Sequence, residues 1–141
     1  MILEELRRLI ADIQRHQSEL DNVEVKTARG GTPKRLYEAL SAFANRPGGG
    51  VILFGLSELS DFSVVGVGDA HRLQEEITHF ASEMEPTLRP QFTVDEVDGE
   101  TVVAAEVDEV PAFQKPCFYK PTGLPNGAYI RVGNTNRRMT E

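Results

Sequence analysis

Three glutamates, Glu19, Glu24 and Glu58, carry the side chains that hard divalent cations take. Mg²⁺ and Mn²⁺ prefer carboxylate oxygens. A metal held by Glu19 and Glu24 would activate water and stabilise the departing oxygen of a phosphodiester. If the segment around Glu24 is a strand, Glu24 and Lys26 point to one face, and Lys26 can steady a phosphate beside the metal. The plain alternative is that Glu19 caps a turn and Glu24 pairs with Lys26 or another cation. Exposed carboxylates of that kind are ordinary.

A second set of residues suits anion binding. Lys26, Arg29, Lys34 and Arg35 surround the turn at Gly30 and Gly31, while Arg131, Arg137 and Arg138 lie near the end of the chain. Phosphate contacts by Lys and Arg supply most sequence-independent affinity for nucleic acid. The N–H groups of Gly30, Gly31 and the helix start that follows can add anion contacts. The net charge of −7 opposes this for the chain as a whole. The charge is uneven, however: the acidic surplus is concentrated in residues 51–114, between two basic stretches. Such local asymmetry matters more to an anionic partner than the total does. The competing readings are a solvated basic loop and, for Arg131, an ion pair with the acidic middle segment.

Other chemistries find no support. There is no GxxxxGK[ST] phosphate loop. Gly48 to Gly50 precede a strand rather than joining a strand to a helix, so they serve tight turning and close packing. His16, His71 and His79 lack metal-type spacing, and Cys117 is the lone cysteine. Asn45 reads as a left-handed helix cap. Phe43 reads as core, and Phe118 with Tyr119 as a packed lid rather than a base-stacking platform.

The elements that must position these residues follow from periodicity. Leu3, Leu6, Leu9, Ile10 and Ile13 predict an amphipathic lead-in helix within residues 1–17. Val23 and Val25 alternate with Glu24 and Lys26 as a short strand. Thr32 and Pro33 predict the start of a helix whose apolar face is Leu36, Leu40 and Phe43. The run at 51–56 reads as a strand buried on both faces, and SVVGVG as another strand. A helix over 69–84 carries Leu73, Ile77, Phe80 and Met84, with Pro86 and Pro90 beyond it. The Asp98-Gly99 pair predicts a hairpin. A proline-rich connector (110–125), a last strand (128–132) and a polar tail complete the chain.

A chain of 141 residues with 40% hydrophobic and 26% charged residues is the size and balance of one domain. The expected fold is α/β (α+β): residues 1–141 form a single domain with a mixed sheet flanked by helices. The lone cysteine points to a reducing compartment, hence the cytoplasm. No apolar run reaches the roughly 20 residues of a membrane span. The polar ending suggests the front part of a longer protein.

Across residues 19–141 the pattern resembles the Schlafen-type AlbA-like family. The pieces are Glu19, Glu24 and Lys26; Ala42, Phe43, Ala44 and Asn45; Gly49 and Gly50; Gly55; Val64, Val65 and Gly66; and Tyr129, Ile130, Arg131, Val132 and Gly133. The ordered set carries the resemblance, not any one piece. It implies an α/β fold and a nucleic-acid-binding role, often at the front of bacterial transcriptional regulators or helicase-like proteins. A divergent AAA-type ATPase label also attaches to the family, although the Walker motif is missing here. Some animal members are metal-dependent ribonucleases using two glutamates and a downstream aspartate. Glu19 and Glu24 match the glutamates; at the third position this chain has Ser57 and Glu58, with Asp61 further on. The leading expectation is nucleic-acid binding. The alternatives are a metal-dependent endoribonuclease using Glu19, Glu24 and Glu58, or a protein-interaction or dimerisation module. Homodimerisation is a further expectation.

Overall fold

The computed structural model describes residues 1–139. In chain order, α1 (Leu3–His16) is followed by β1 (Val23–Lys26), α2 (Leu36–Ala44), β2 (Gly50–Phe54), β3 (Leu56–Ser57) and β4 (Ser63–Val64). Then come α3 (Ala70–Ser82), β5 (Met84–Glu85), β6 (Gln91–Val97) and β7 (Glu100–Val107). The short β8 (Phe118–Tyr119) precedes β9 (Tyr129–Val132) and β10 (Thr135–Arg138). Four strands form the main sheet in the order β1-β2-β7-β6. β1 and β2 are parallel, joined through α2, and the other pairings are antiparallel. The mixed sheet with helices is the expected α+β class.

Strand alternation sends the side chains to two cores. Leu53, Val102 and Ala104 meet Leu6, Ile10 and Ile13 of α1 on one face. Ile52, Phe54, Val103 and Ala105 meet α2 and α3 on the other. The central strands are therefore buried on both sides, as the apolar run predicts. Each fully buried Leu or Ile of α1 contributes about 1.5–3 kcal/mol, which seats this helix although no side chain caps its start.

The glycines before β2 permit close approach. A Cβ on Gly50 would lie 2.2 Å from the Phe43 ring, and one on Gly49 would lie 2.2 Å from the Val107 carbonyl oxygen. At Asp98 and Gly99 both φ angles are positive, the twist of the expected hairpin turn between β6 and β7.

Several expectations need correction. α2 starts at Leu36, with Arg35 in the cap position and no side-chain cap bond, rather than at Thr32 and Pro33. Of SVVGVG only Ser63 and Val64 pair as a strand; Val65 and Gly66 both donate to the Gly55 carbonyl instead. The polar tail contains a strand, β10, paired with β9 across a turn at Gly133 and Asn134. Gly133 has φ +61°, which suits the first central position of a type II′ turn. Asn45 is not left-handed (φ −89°). Its side chain instead bonds the Cys117 N–H and the carbonyls of Cys117 and Tyr129, tying the connector and β9 to α2. Phe43 is fully buried, and Tyr119 stacks on Tyr37 with centroids 4.3 Å apart. Among the described residues no helix is long and apolar enough to cross a membrane.

Candidate nucleic-acid interface beside a carboxylate cleft

β1 is an edge strand, so half of its main-chain groups find no partner in the sheet. Its alternation puts Val23 and Val25 under α1 and turns Glu24 and Lys26 to the opposite face. There the β9–β10 hairpin, which packs on α2, covers them. Glu24 is only 7% exposed. Arg131 reaches it from β9, Nη1 to Oε1 at 2.7 Å, with a side chain just 1% exposed. Lys26 Nζ sits 3.0 Å from the other oxygen, and Asn136 Nδ2 donates to Oε1 at 2.6 Å.

Arg131 also closes the sheet edge. Its Nη2 donates to the Val23 carbonyl (2.9 Å) and its Nε to the Asp21 carbonyl (3.1 Å). Nη1 also donates to Asn136 Oδ1, and the guanidinium lies 4.8 Å from the centre of the Phe43 ring. Arginine's fixed fork suits this set of acceptors. Arg131 is therefore not an exposed phosphate contact. Its partner is Glu24, not the acidic middle segment. Glu19 acts on the same edge, accepting the outward N–H of Val25. Burial pushes the Glu19 carboxyl above its ordinary range. The Val25 bond opposes this, while repulsion from Glu24 and Glu58 adds to it.

The three glutamates do converge. Glu19, Glu24 and Glu58 line one open cleft of about 310 Å³ with Lys26, Glu38 and the hairpin residues Asn134, Thr135 and Asn136. Asp61 is not among the lining residues. The donor set does not form a metal site as it stands: both oxygens of Glu24 are engaged by Arg131, Asn136 and Lys26. Among the described residues no three of His, Cys, Asp and Glu are disposed to hold a metal ion. Glu38 and Asn136 were not legible as site residues. Glu38 sits on α2 beside the Arg35 guanidinium, yet its buried Oε2 has no aligned hydrogen-bond donor.

The remaining cations divide between two elements around α2. Lys34 and Arg35 precede the helix and are exposed. Hydrogen bonds to the hydroxyls of Tyr37 and Tyr129 hold the Arg35 guanidinium above its ordinary value. Arg137 and Arg138 are exposed on β10, which packs against α2, and Arg138 lies opposite Tyr129. None of the ion pairs among the described residues involves Arg29, Lys34, Arg137 or Arg138. Arg29 lines a separate cavity of about 370 Å³ with Gly30, Gly31, Asp69 and Arg72. One expected anion donor, the Gly31 N–H, and one N–H at the start of α3 are already used. The Gly31 N–H bonds the Ala28 carbonyl, and Asp69 caps α3 by accepting the Arg72 N–H.

No curated protein matches the chain. The N-terminal domain of an ATP-dependent DNA helicase RecG-related protein from Nitrosomonas europaea, solved by solution NMR, is similar at 30% identity. That match has a TM-score of 0.67 and covers 95% of this chain and 92% of that one. The DIP2311 protein of Corynebacterium diphtheriae shares the fold at 19% identity and a TM-score of 0.63, over 96% of this chain and 26% of that one. The family model described as Schlafen, AlbA_2 matches residues 19–140, and the chain belongs to that family.

Proposed function

We propose that this domain binds nucleic acid through its phosphate backbone. The observation that carries the reading is the placement of Lys34, Arg35, Arg137 and Arg138, all exposed, on the two elements flanking α2, with Arg29 in the loop before them. Arg131 is the internal strut of that surface and holds the hairpin in place. Membership of the Schlafen AlbA_2 family and the likeness to the front domain of a helicase-related protein support the same reading.

The test is fluorescence anisotropy with duplex DNA and structured RNA in EDTA, across a salt series. Five phosphate contacts give a slope of about −4.5 in log K against log salt, hence about a 500-fold loss of affinity between roughly 50 and 200 mM. Replacing both Arg137 and Arg138 with Ala should flatten the slope to about −2.7, a loss of about 40-fold over the same range. An unchanged slope would remove β10 from the interface, and no binding at low salt would end the reading. Cleavage of the probe on adding Mn²⁺ would replace it with the endoribonuclease alternative, in which Glu24 must exchange its Arg131, Asn136 and Lys26 partners for the metal.

A further inference from the structure

The two faces of the β9–β10 hairpin differ in character. Tyr129, Arg131 and Asn136 turn inward, and Arg131 fixes that face through Glu24 and the Val23 carbonyl. Opposite residues of an antiparallel pair share a face, so Ile130 with Arg137 and Val132 with Thr135 make up the outer one. All four are exposed, Ile130 by 38% and Val132 by 46%. The hairpin thus holds two aliphatic side chains, a threonine and an arginine on a rigid face turned to solvent. The segment that carries it is the basic exception in an acidic chain. Residues 110–139 include Lys115, Lys120, Arg131, Arg137 and Arg138 and no acidic residue, against a net charge of −7 overall.

We infer that this hairpin is a reading element whose outer face lies in the major groove of B-form DNA, with Ile130 and Val132 on thymine methyl groups. The inference rests on the phosphate-binding function proposed above and names the nucleic acid and the groove. Basic charge with no acid beside it selects a polyanion as the occupant. Two aliphatic side chains within that basic face gain nothing from phosphates. On a duplex the apolar group they can reach is the C5-methyl of thymine, which lies in the major groove. RNA carries uracil without that methyl, and its A-form major groove is too deep and narrow for side chains to read. Unpaired bases are held by stacking on aromatic side chains, and this face has none. The dimensions agree. Two strands about 4.8 Å apart form a ribbon that enters a groove about 12 Å wide, but not the minor groove of about 6 Å. Arg137, beside Ile130, then meets the phosphates at the groove wall, and Thr135 sets a further methyl beside Val132.

The test is fluorescence anisotropy of the whole chain in EDTA with three duplexes of alternating A·T sequence: DNA with thymine, the same DNA with uracil, and RNA with uracil. Thymine and uracil have the same charge and the same hydrogen-bonding edge, so the two DNA probes differ only in the methyl. The thymine duplex should bind more tightly than the uracil duplex by about fourfold for each methyl buried, at an unchanged salt slope. The double variant Ile130→Ser, Val132→Ser should abolish that difference and leave the slope alone, since neither residue meets a phosphate. Both positions are exposed, and should the variant fail to fold, thymine against uracil on the wild-type chain still decides. Equal binding of the two DNA duplexes, or a methyl preference that survives in the double variant, overturns the inference. A steep salt slope in that same experiment would leave the nucleic-acid reading standing. RNA bound more tightly than either DNA, and weakened by the double variant, overturns the inference in favour of RNA. A dimer of the free chain in sedimentation that the double variant dissolves does so too, by putting a second copy on this face. No binding of any duplex at low salt removes the nucleic-acid reading, and this inference with it.

Discussion

Replacing Arg131 with Met keeps the aliphatic bulk beside Phe43 and removes the charge. Glu24 is then left with Lys26 and Asn136 alone, and the Val23 and Asp21 carbonyls lose their donors. The side chains of Arg131 and Glu24 are 1% and 9% exposed, so solvent screening does little to soften the loss. Breaking one side of a buried pair costs about 3–5 kcal/mol. A domain of this size holds about 5–15 kcal/mol in total. The melting temperature should fall by roughly 10 °C or more, and the urea midpoint in proportion. Urea unfolding of Arg131→Met, Glu24→Gln and the double variant should give a coupling of about 1–3 kcal/mol. A stability loss below about 1 kcal/mol, accompanied by weaker nucleic-acid binding, would refute the reasoning. It would return Arg131 to the surface as a phosphate contact.

Three further outcomes are expected. Because burial raises the folded Glu19 carboxyl above its ordinary value of 4.5, the folded state holds that proton more tightly than the unfolded state. Stability from this group is therefore lost as pH rises from about 4.5 through the raised folded value, and Glu19→Gln should flatten that part of a urea-midpoint profile against pH. The Cys117 thiol is buried and pushed up to about 12 by burial, then by the nearby Glu85 charge. It should resist a disulfide reagent at about pH 8 in the native chain and react on unfolding. Gly50→Ala should lower stability by about 1–3 kcal/mol in a thermal melt, because its Cβ meets the Phe43 ring at 2.2 Å.

The apolar run of β2, the stripe of α1 and the Asp98-Gly99 turn were legible because burial and turn geometry leave local signals. β10 was not, because Thr135, Asn136, Arg137 and Arg138 have no apolar alternation. Only the Gly133-Asn134 pair after AYIRV hinted at a hairpin. Asn45 misled because a helix-end Asn has a good local use, whereas its actual bonds reach 72 and 84 residues away. The convergence of Glu19, Glu24 and Glu58 followed from the resemblance to metal-dependent family members, not from any local signal. The engagement of Glu24 by Arg131 and Asn136 did not, since it depends on a hairpin crossing α2. Glu38 carries no local signal as a polar residue in the first turn of α2, and it lines the cleft together with hairpin residues distant in sequence, Asn134, Thr135 and Asn136.

The separation between Glu24 and Arg131 is 107 residues, and between Glu24 and Asn136 it is 112. On a ribosome β1 emerges early, and the groups that neutralise and cover it emerge more than a hundred residues later. Domains are made from the amino end at about 5–20 residues per second, so β1 waits several seconds for its strut. Through that interval the nascent sheet has two bare edges, and the charge on Glu24 is what discourages a neighbouring chain from adding to the first of them. Closure by the β9–β10 hairpin is thus a late folding event of high contact order, and its arrival marks the point at which the β1 edge is closed to neighbouring chains.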